Sequence, residues 1–151
     1  MRVSTPMTRE VTVVPPELRL DVAHRIMQRK RIRHLPVVAG GELLGILSDR
    51  DVLLRAQLAD DGAVVVPALS CGAVMTPAPA TCDVDATVDH VVRVMTERKV
   101  DALPVVAPSG RLVGLVTSTD LILLLLEPSE ARPLPYTFEL DELREEPRAE
   151  A

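Results

Sequence analysis

The chain has 151 residues, 47% of them hydrophobic, with no Trp and with Tyr136 and Phe138 as its only aromatics. That length suits one compact domain or two small ones sharing a core, and the core must be aliphatic. A formal charge of −5 and the scarcity of aromatics for base stacking argue against a general nucleic-acid binder.

In chain order, Met1-Arg2-Val3-Ser4-Thr5-Pro6 has no apolar signal-peptide region, and the expectation is a soluble, cytoplasmic protein. A short strand is expected near Val11–Val14. Leu20, Ala23, His24 and Met27 follow i, i+3, i+4, i+7 and predict an amphipathic helix. It ends in a basic run, Arg29, Lys30, Arg31, Arg33 and His34. Cations are favoured at a helix C-terminus by its dipole, so Arg29–Arg31 read as a solvated helix end. Binding of DNA or RNA through the run fits the acidic balance poorly. Leu35–Val38 and Leu43–Leu47 are short apolar runs joined by Gly40-Gly41, the signature of a hairpin of buried strands. A second helix opens at Ser48 and runs through Val52-Leu53-Leu54. Residues 56–70, with Asp60-Asp61-Gly62 and Pro67, form a connection in which Val64-Val65-Val66 can pack locally.

The same order then returns. Met7-Thr8 recurs as Met75-Thr76 and Leu35-Pro36-Val37-Val38 as Leu103-Pro104-Val105-Val106, each 68 residues on. In that register Asp21, Arg25 and Met27 match Asp89, Arg93 and Met95. One residue is inserted where Gly40-Gly41 becomes Pro108-Ser109-Gly110, after which Gly45-Ile46-Leu47-Ser48 and Asp51 match Gly114-Leu115-Val116-Thr117 and Asp120. The first strand has its counterpart around Ala80–Cys82. Val88, Val91, Val92 and Met95 give the helix, and a second helix opens at Thr117. Each copy reads β-α-β-β-α. Two such short units are expected to pack face to face about a pseudo-two-fold, since neither can bury its apolar face alone. The bounds are 3–58 for the first repeat, 59–70 for the connection and 71–127 for the second. Leu121–Leu126, the longest apolar run, is far short of the roughly 20 residues that span a bilayer. From 128 to 151 the pattern stops, and an acidic, proline-rich tail reads as flexible. Within it only Leu134–Leu140 looks suited to docking, while Asp141, Glu142, Glu145 and Glu146 offer a complement to the basic run.

Chemistry is sparse. Cys71 and Cys82 lack CxxC spacing and read as reduced thiols with no metal site. His24 reads as a packing or dimer-face residue, and His90 as exposed. There is no Walker-type glycine loop, no GxSxG and no HExxH. Asp49 and Asp51 share one short helix start with no nucleophile in view, so no enzyme is expected. Ser48 with Asp51, and Thr117 with Asp120, have capping-box spacing, which by itself favours a helix cap.

The helix ending in Met27 or Met95, the Leu-Pro-Val-Val strand and the Gly turn resemble the CBS (cystathionine-β-synthase-type) domain family. So does the element Gly-aliphatic-aliphatic-Ser/Thr-x-x-Asp-aliphatic at Gly45–Val52 and Gly114–Leu121. The likeness covers about residues 3–126. It implies an α+β fold of two tandem β-α-β-β-α repeats packed as a pseudo-two-fold pair, commonly assembled into homodimers. It also implies two clefts that bind AMP, ADP, ATP, S-adenosylmethionine or other adenosyl compounds in many members and nothing in others. On this reading Asp51 and Asp120 accept hydrogen bonds from vicinal ribose hydroxyls. Carried over by position, the first cleft uses Ser48, Asp51, Arg33 and His34 for sugar and phosphate, with Ala80, Val100 and Asp101 beside the adenine. The second uses Thr117, Asp120, Asp101 and Ala102, with Thr12, Ile32 and Arg33 beside the base. Arg33 and His34 can donate charge-assisted hydrogen bonds to a phosphate, whereas Asp101 and Ala102 cannot. A phosphorylated ligand is therefore expected in the Asp51 cleft, and in the other a weak site, a neutral adenosyl group or nothing. The expected function is regulatory ligand sensing on behalf of an unidentified protein. The alternative is a structural dimerisation scaffold with empty clefts, in which the Ser/Asp and Thr/Asp pairs only cap helices.

Overall fold

The computed structural model describes residues 1–3, 7 and 10–126, and the backbone of 139–142. The first repeat contains β1 (Glu10–Val13), α1 (Leu20–Lys30), β2 (His34–Ala39), β3 (Glu42–Ser48) and α2 (Asp49–Arg55). The connection holds a small hairpin of β4 (Gln57–Leu58) and β5 (Val64–Val65), followed by α3 (Cys71–Val74) and β6 (Thr76–Pro77). The second repeat supplies β7 (Cys82–Asp83), α4 (Val88–Arg98), β8 (Ala102–Val106), β9 (Leu112–Thr117) and α5 (Ser118–Leu123). Finally β10 (Glu139–Glu142) pairs with β1. The tail side chains, including those of Leu134–Leu140, Asp141, Glu142, Glu145 and Glu146, fall outside the described residues.

The helical period fixes what each long helix buries. Leu20, Ala23 and Met27 of α1 are buried, with His24 half-buried, and Val91 and Met95 of α4 are buried. Val92, the match of His24, is 44% exposed, so the buried stripe is narrower than the apolar periodicity suggests. Both helices stop at a residue in the left-handed region, Arg31 at φ 54° and Lys99 at φ 55°. The next amide reaches back to the helix, Ile32 N–H to Met27 O at 3.0 Å and Val100 N–H to Met95 O at 3.1 Å. This is the six-to-one bond of a Schellman turn, built without its usual glycine. It redirects the chain into Arg33 and Asp101.

The hairpins follow. Gly40 and Gly41 both have positive φ, 60° and 82°, as a two-residue type I′ turn demands. β2 pairs antiparallel with β3, His34 opposite Ser48 and Val37 opposite Gly45, with a register shift between Val37 and Val38. β8 and β9 repeat the arrangement, Ala102 opposite Thr117 and Val105 opposite Gly114, with the shift between Val105 and Val106. Each hairpin also receives a parallel neighbour, β7 beside β8 through Cys82 and Val105. In the first repeat this neighbour is a single bridge from Val14 to Val37. Strand β1 itself turns to β10.

Two compact units result. Among the described residues, one holds Thr12–Ala78, and the other holds Met1–Val11 together with Pro79–Asp141. We call them the first-repeat and second-repeat units. The first has a core of Val14, Leu18, Leu20, Leu35, Val37, Leu47 and Val52, completed by Cys71 and Val74. The second is built on Val91, Met95, Leu103, Val105 and Val116, completed by Val3 and Met7. Both are aliphatic, as the composition requires.

The two cysteines lie in these cores. Burial pushes both thiols up to about 11, helped at Cys82 by the Asp83 carboxylate and opposed at Cys71 by a backbone hydrogen bond. A thiol in the unfolded chain titrates near about 8.5. The native state therefore holds these protons more tightly, and the associated stability is complete below about pH 8.5 and is lost as pH rises through the folded value. The melting temperature should fall between about pH 8.5 and 11 more steeply than in a Cys71→Ala/Cys82→Ala variant. Parallel pH profiles would contradict this assignment.

Candidate functional site

Where each hairpin ends and the next helix begins, a capping box forms. In the first-repeat unit the pairing of His34 with Ser48 and the bond from Asp49 N–H to Arg33 O at 2.9 Å bring Arg33 and His34 to the start of α2. There Asp51 N–H donates to Ser48 Oγ at 3.1 Å, and Ser48 N–H donates to Asp51 Oδ2 at 2.8 Å. This is a complete capping box. Ser48, Asp51 and His34 are half-buried and Arg33 is exposed. The cap occupies one carboxylate oxygen of Asp51; Oδ1 has no hydrogen-bond partner among the described residues.

The second-repeat unit repeats the scaffold with different chemistry. Ser118 N–H donates to Asp101 O at 2.9 Å, and Ala102 lies opposite Thr117. Thr117 N–H donates to Asp120 Oδ2 at 2.8 Å and Asp120 N–H to Thr117 Oγ1 at 3.3 Å. The threonine hydroxyl also donates to Asp120 Oδ2 at 3.0 Å, a side-chain bond described for Thr117 and not for Ser48. The positions that hold Arg33 and His34 in the first unit hold exposed Asp101 and buried Ala102 here.

The structure thus assembles Arg33, His34, Ser48 and Asp51 in one unit, and Asp101, Ala102, Thr117 and Asp120 in the other. Ile32 follows the Schellman turn of α1 and Thr12 is half-buried in β1, both within the first-repeat unit. Val100 takes the same place after α4, and Ala80 packs against the second-repeat core. The base-side residues expected for each aspartate therefore belong to the other unit. The capping role of both aspartates is readable from the Ser/Thr-x-x-Asp spacing. The extra Thr117–Asp120 bond is not, because serine and threonine are equivalent as caps.

Among the described residues no group of three His, Cys, Asp or Glu side chains is placed to hold a metal ion, and no helix is long and apolar enough to cross a membrane.

This hairpin-and-cap scaffold, present twice, coincides with a family profile. The sequence model of the CBS domain matches residues 2–57 and 71–127. The chain belongs to the CBS domain family. Its fold is two tandem CBS repeats with mixed helices and small sheets. The pair is 36% identical over 113 residues to an inosine-5′-monophosphate dehydrogenase of Korarchaeum cryptofilum, covering 75% of this chain and 22% of the dehydrogenase. The chain thus spans less than a quarter of that enzyme. Among solved structures it resembles a CBS domain pair in complex with 5′-methylthioadenosine and S-adenosyl-L-methionine, at TM-score 0.71 and 26% identity, covering 83% of this chain and 99% of the other. It also resembles CBSX2 in complex with AMP, at TM-score 0.71 and 27% identity, covering 83% and 96%.

Proposed function

We propose that this CBS pair is a regulatory module that binds an adenosyl ligand, with the phosphorylated class taken on the Asp51 side. The observation that carries the reading is the asymmetry of two otherwise equivalent scaffolds. Asp51 keeps an oxygen without a hydrogen-bond partner among the described residues, on a helix start to which the backbone brings Arg33 and His34, while the matching positions near Asp120 hold Asp101 and Ala102. A carboxylate is a natural acceptor for two vicinal hydroxyls, and a guanidinium matches phosphate geometry. Solved CBS relatives bind AMP, S-adenosyl-L-methionine or 5′-methylthioadenosine, which supports the adenosyl class. In this reading Ser48, Asp51, Arg33 and His34 contact sugar and phosphate, with Ala80, Val100 and Asp101 beside the base. Thr117, Asp120, Thr12 and Ile32 form the weaker counterpart.

The module performs no chemistry of its own. It acts in the cytoplasm on a protein it regulates, by differential affinity of the ligand for two conformations. We further propose that it works as a homodimer. Leu53 and Leu54 on α2 and Ile122 and Leu123 on α5 are each more than half exposed, a large apolar area to leave in water.

Thermal denaturation with AMP, ADP, ATP and S-adenosylmethionine, and with CMP as a control, tests the proposal. Saturation at about 100 times the dissociation constant stabilises by about 2.7 kcal/mol. For a chain of this size that should raise the melting temperature by roughly 5–10 °C. AMP should act and CMP should not. No shift with any adenosyl compound would favour the dimerisation scaffold.

A further inference from the structure

The sequence repeat extends further back than the β-α-β-β-α unit, to Met7-Thr8 and Met75-Thr76, and the structure shows where the described residues of these leading segments go. In the first-repeat unit Leu20 N–H donates to Leu69 O at 2.7 Å, Cys71 N–H to Leu18 O at 2.8 Å and Gly72 N–H to Pro16 O at 2.8 Å. Strand β6 then pairs with β3, Pro77 opposite Gly45 and Thr76 opposite Ile46. Gly45 is required there, since a Cβ would collide with the Met75 side chain and lie 2.7 Å from Thr76 O. In the second-repeat unit Val88 N–H donates to Met1 O at 2.8 Å and Val3 N–H to Ala86 O at 2.7 Å. These two bonds match Leu20–Leu69 and Cys71–Leu18 in the 68-residue register. The bridges Arg19–Ser70 and Arg2–Thr87 also match.

Each leading segment therefore belongs to the unit of the other repeat. Cys71 and Val74 fill the core of the first-repeat unit, and Val3 and Met7 that of the second. The chain crosses between units after Val11 and again after Ala78. As a result, a cut in the connection does not separate one unit from the other; it leaves both units composed of both pieces.

We infer that the two repeats are interlocked by reciprocal exchange of their leading segments, so that neither repeat holds its fold alone and the pair unfolds as one. A piece ending near Asp61 lacks Cys71 and Val74, and the remaining piece lacks Val3 and Met7. Each would leave a socket in an aliphatic core, and such sockets are unstable in water. Both units are held instead by backbone pairing and core packing that run across the cut.

Site-specific proteolysis of the full chain tests this. A protease recognition sequence is inserted between Asp61 and Gly62, in the exposed turn, and the folded protein is cleaved. The halves should co-elute in native buffer, part only in denaturant, and melt in a single transition whose temperature falls on dilution. Halves that elute apart in native buffer, or a cut protein that melts in two transitions, would overturn the inference. Hydrogen exchange on the uncut, unmodified chain provides a second reading. The amides of Val3, Cys71 and Gly72 should exchange within about tenfold of the β2 and β8 core amides, as members of one cooperative unit do. Exchange a hundredfold faster would mean that the segments fray independently.

Discussion

Replacing Asp51 with Asn should weaken AMP binding by roughly 10- to 100-fold, corresponding to about 1.5–3 kcal/mol for hydrogen bonds to a charged group, while the fold stays intact. The amide oxygen of Asn can still accept from Ser48 N–H, and Ser48 Oγ still accepts the residue 51 amide, so the capping box that starts α2 survives. What disappears is the charge and the second acceptor oxygen. Asp120→Asn should cost less than about threefold for the same ligand, because Asp101 and Ala102 stand where Arg33 and His34 stand in the other unit and offer a phosphate nothing. Calorimetric titration of both variants, with circular dichroism to check folding, measures the contrast. Equal losses would contradict the asymmetry drawn from Arg33 and His34.

Leu35→Ala and Leu103→Ala should each destabilise the chain by about 2–5 kcal/mol. Both leucines are at 0% exposure, at matched positions in β2 and β8. Among the described residues both cores are built from aliphatic, Met and Cys side chains packed around these leucines, so the loss should fall within that range. Against a typical stability of about 5–15 kcal/mol, one such change removes a large share. Leu35 follows His34 and Leu103 follows Asp101 and Ala102, so either truncation should also loosen AMP binding in the fraction still folded. Chemical denaturation gives the stability and calorimetry the affinity. A loss below 1 kcal/mol at either position would contradict close packing there.

The sequence made the repeating parts legible. The Gly40-Gly41 turn, the Leu-Pro-Val-Val strands and the Ser/Thr-x-x-Asp caps each have a local physical cause, and each lies where its spacing predicts. The capping boxes at Ser48–Asp51 and Thr117–Asp120 follow from side-chain reach alone. Other features depend on tertiary partners. Helix α3 is a single turn held by Leu18 and Pro16, too short to announce itself by periodicity. Strand β6 has two residues and exists because β3 offers an edge at Gly45. The matching of Met7-Thr8 with Met75-Thr76 shows that a segment recurs; it does not show that the segment packs in the other repeat's unit. Val92 illustrates a further limit, since apolar periodicity marks a helix face without fixing how wide a stripe its neighbours cover. At the site, the spacing by itself marked Asp51 and Asp120 as caps, and the resemblance to the CBS family made them ligand candidates. That Asp51 uses only Oδ2 for its cap, and that the Thr117 hydroxyl also bonds Asp120, needed the geometry.

On the proposed function, the Asp51 scaffold serves an adenosyl ligand as well as its helix. Isothermal titration of the intact chain with AMP tests it most directly. A saturable heat with a stoichiometry of about one AMP per chain, with affinity at least about tenfold weaker in Asp51→Asn and within about threefold in Asp120→Asn, is the predicted result. No saturable heat with AMP at millimolar concentration, together with unaltered melting in AMP and S-adenosylmethionine, would contradict the account and leave the two aspartates as helix caps.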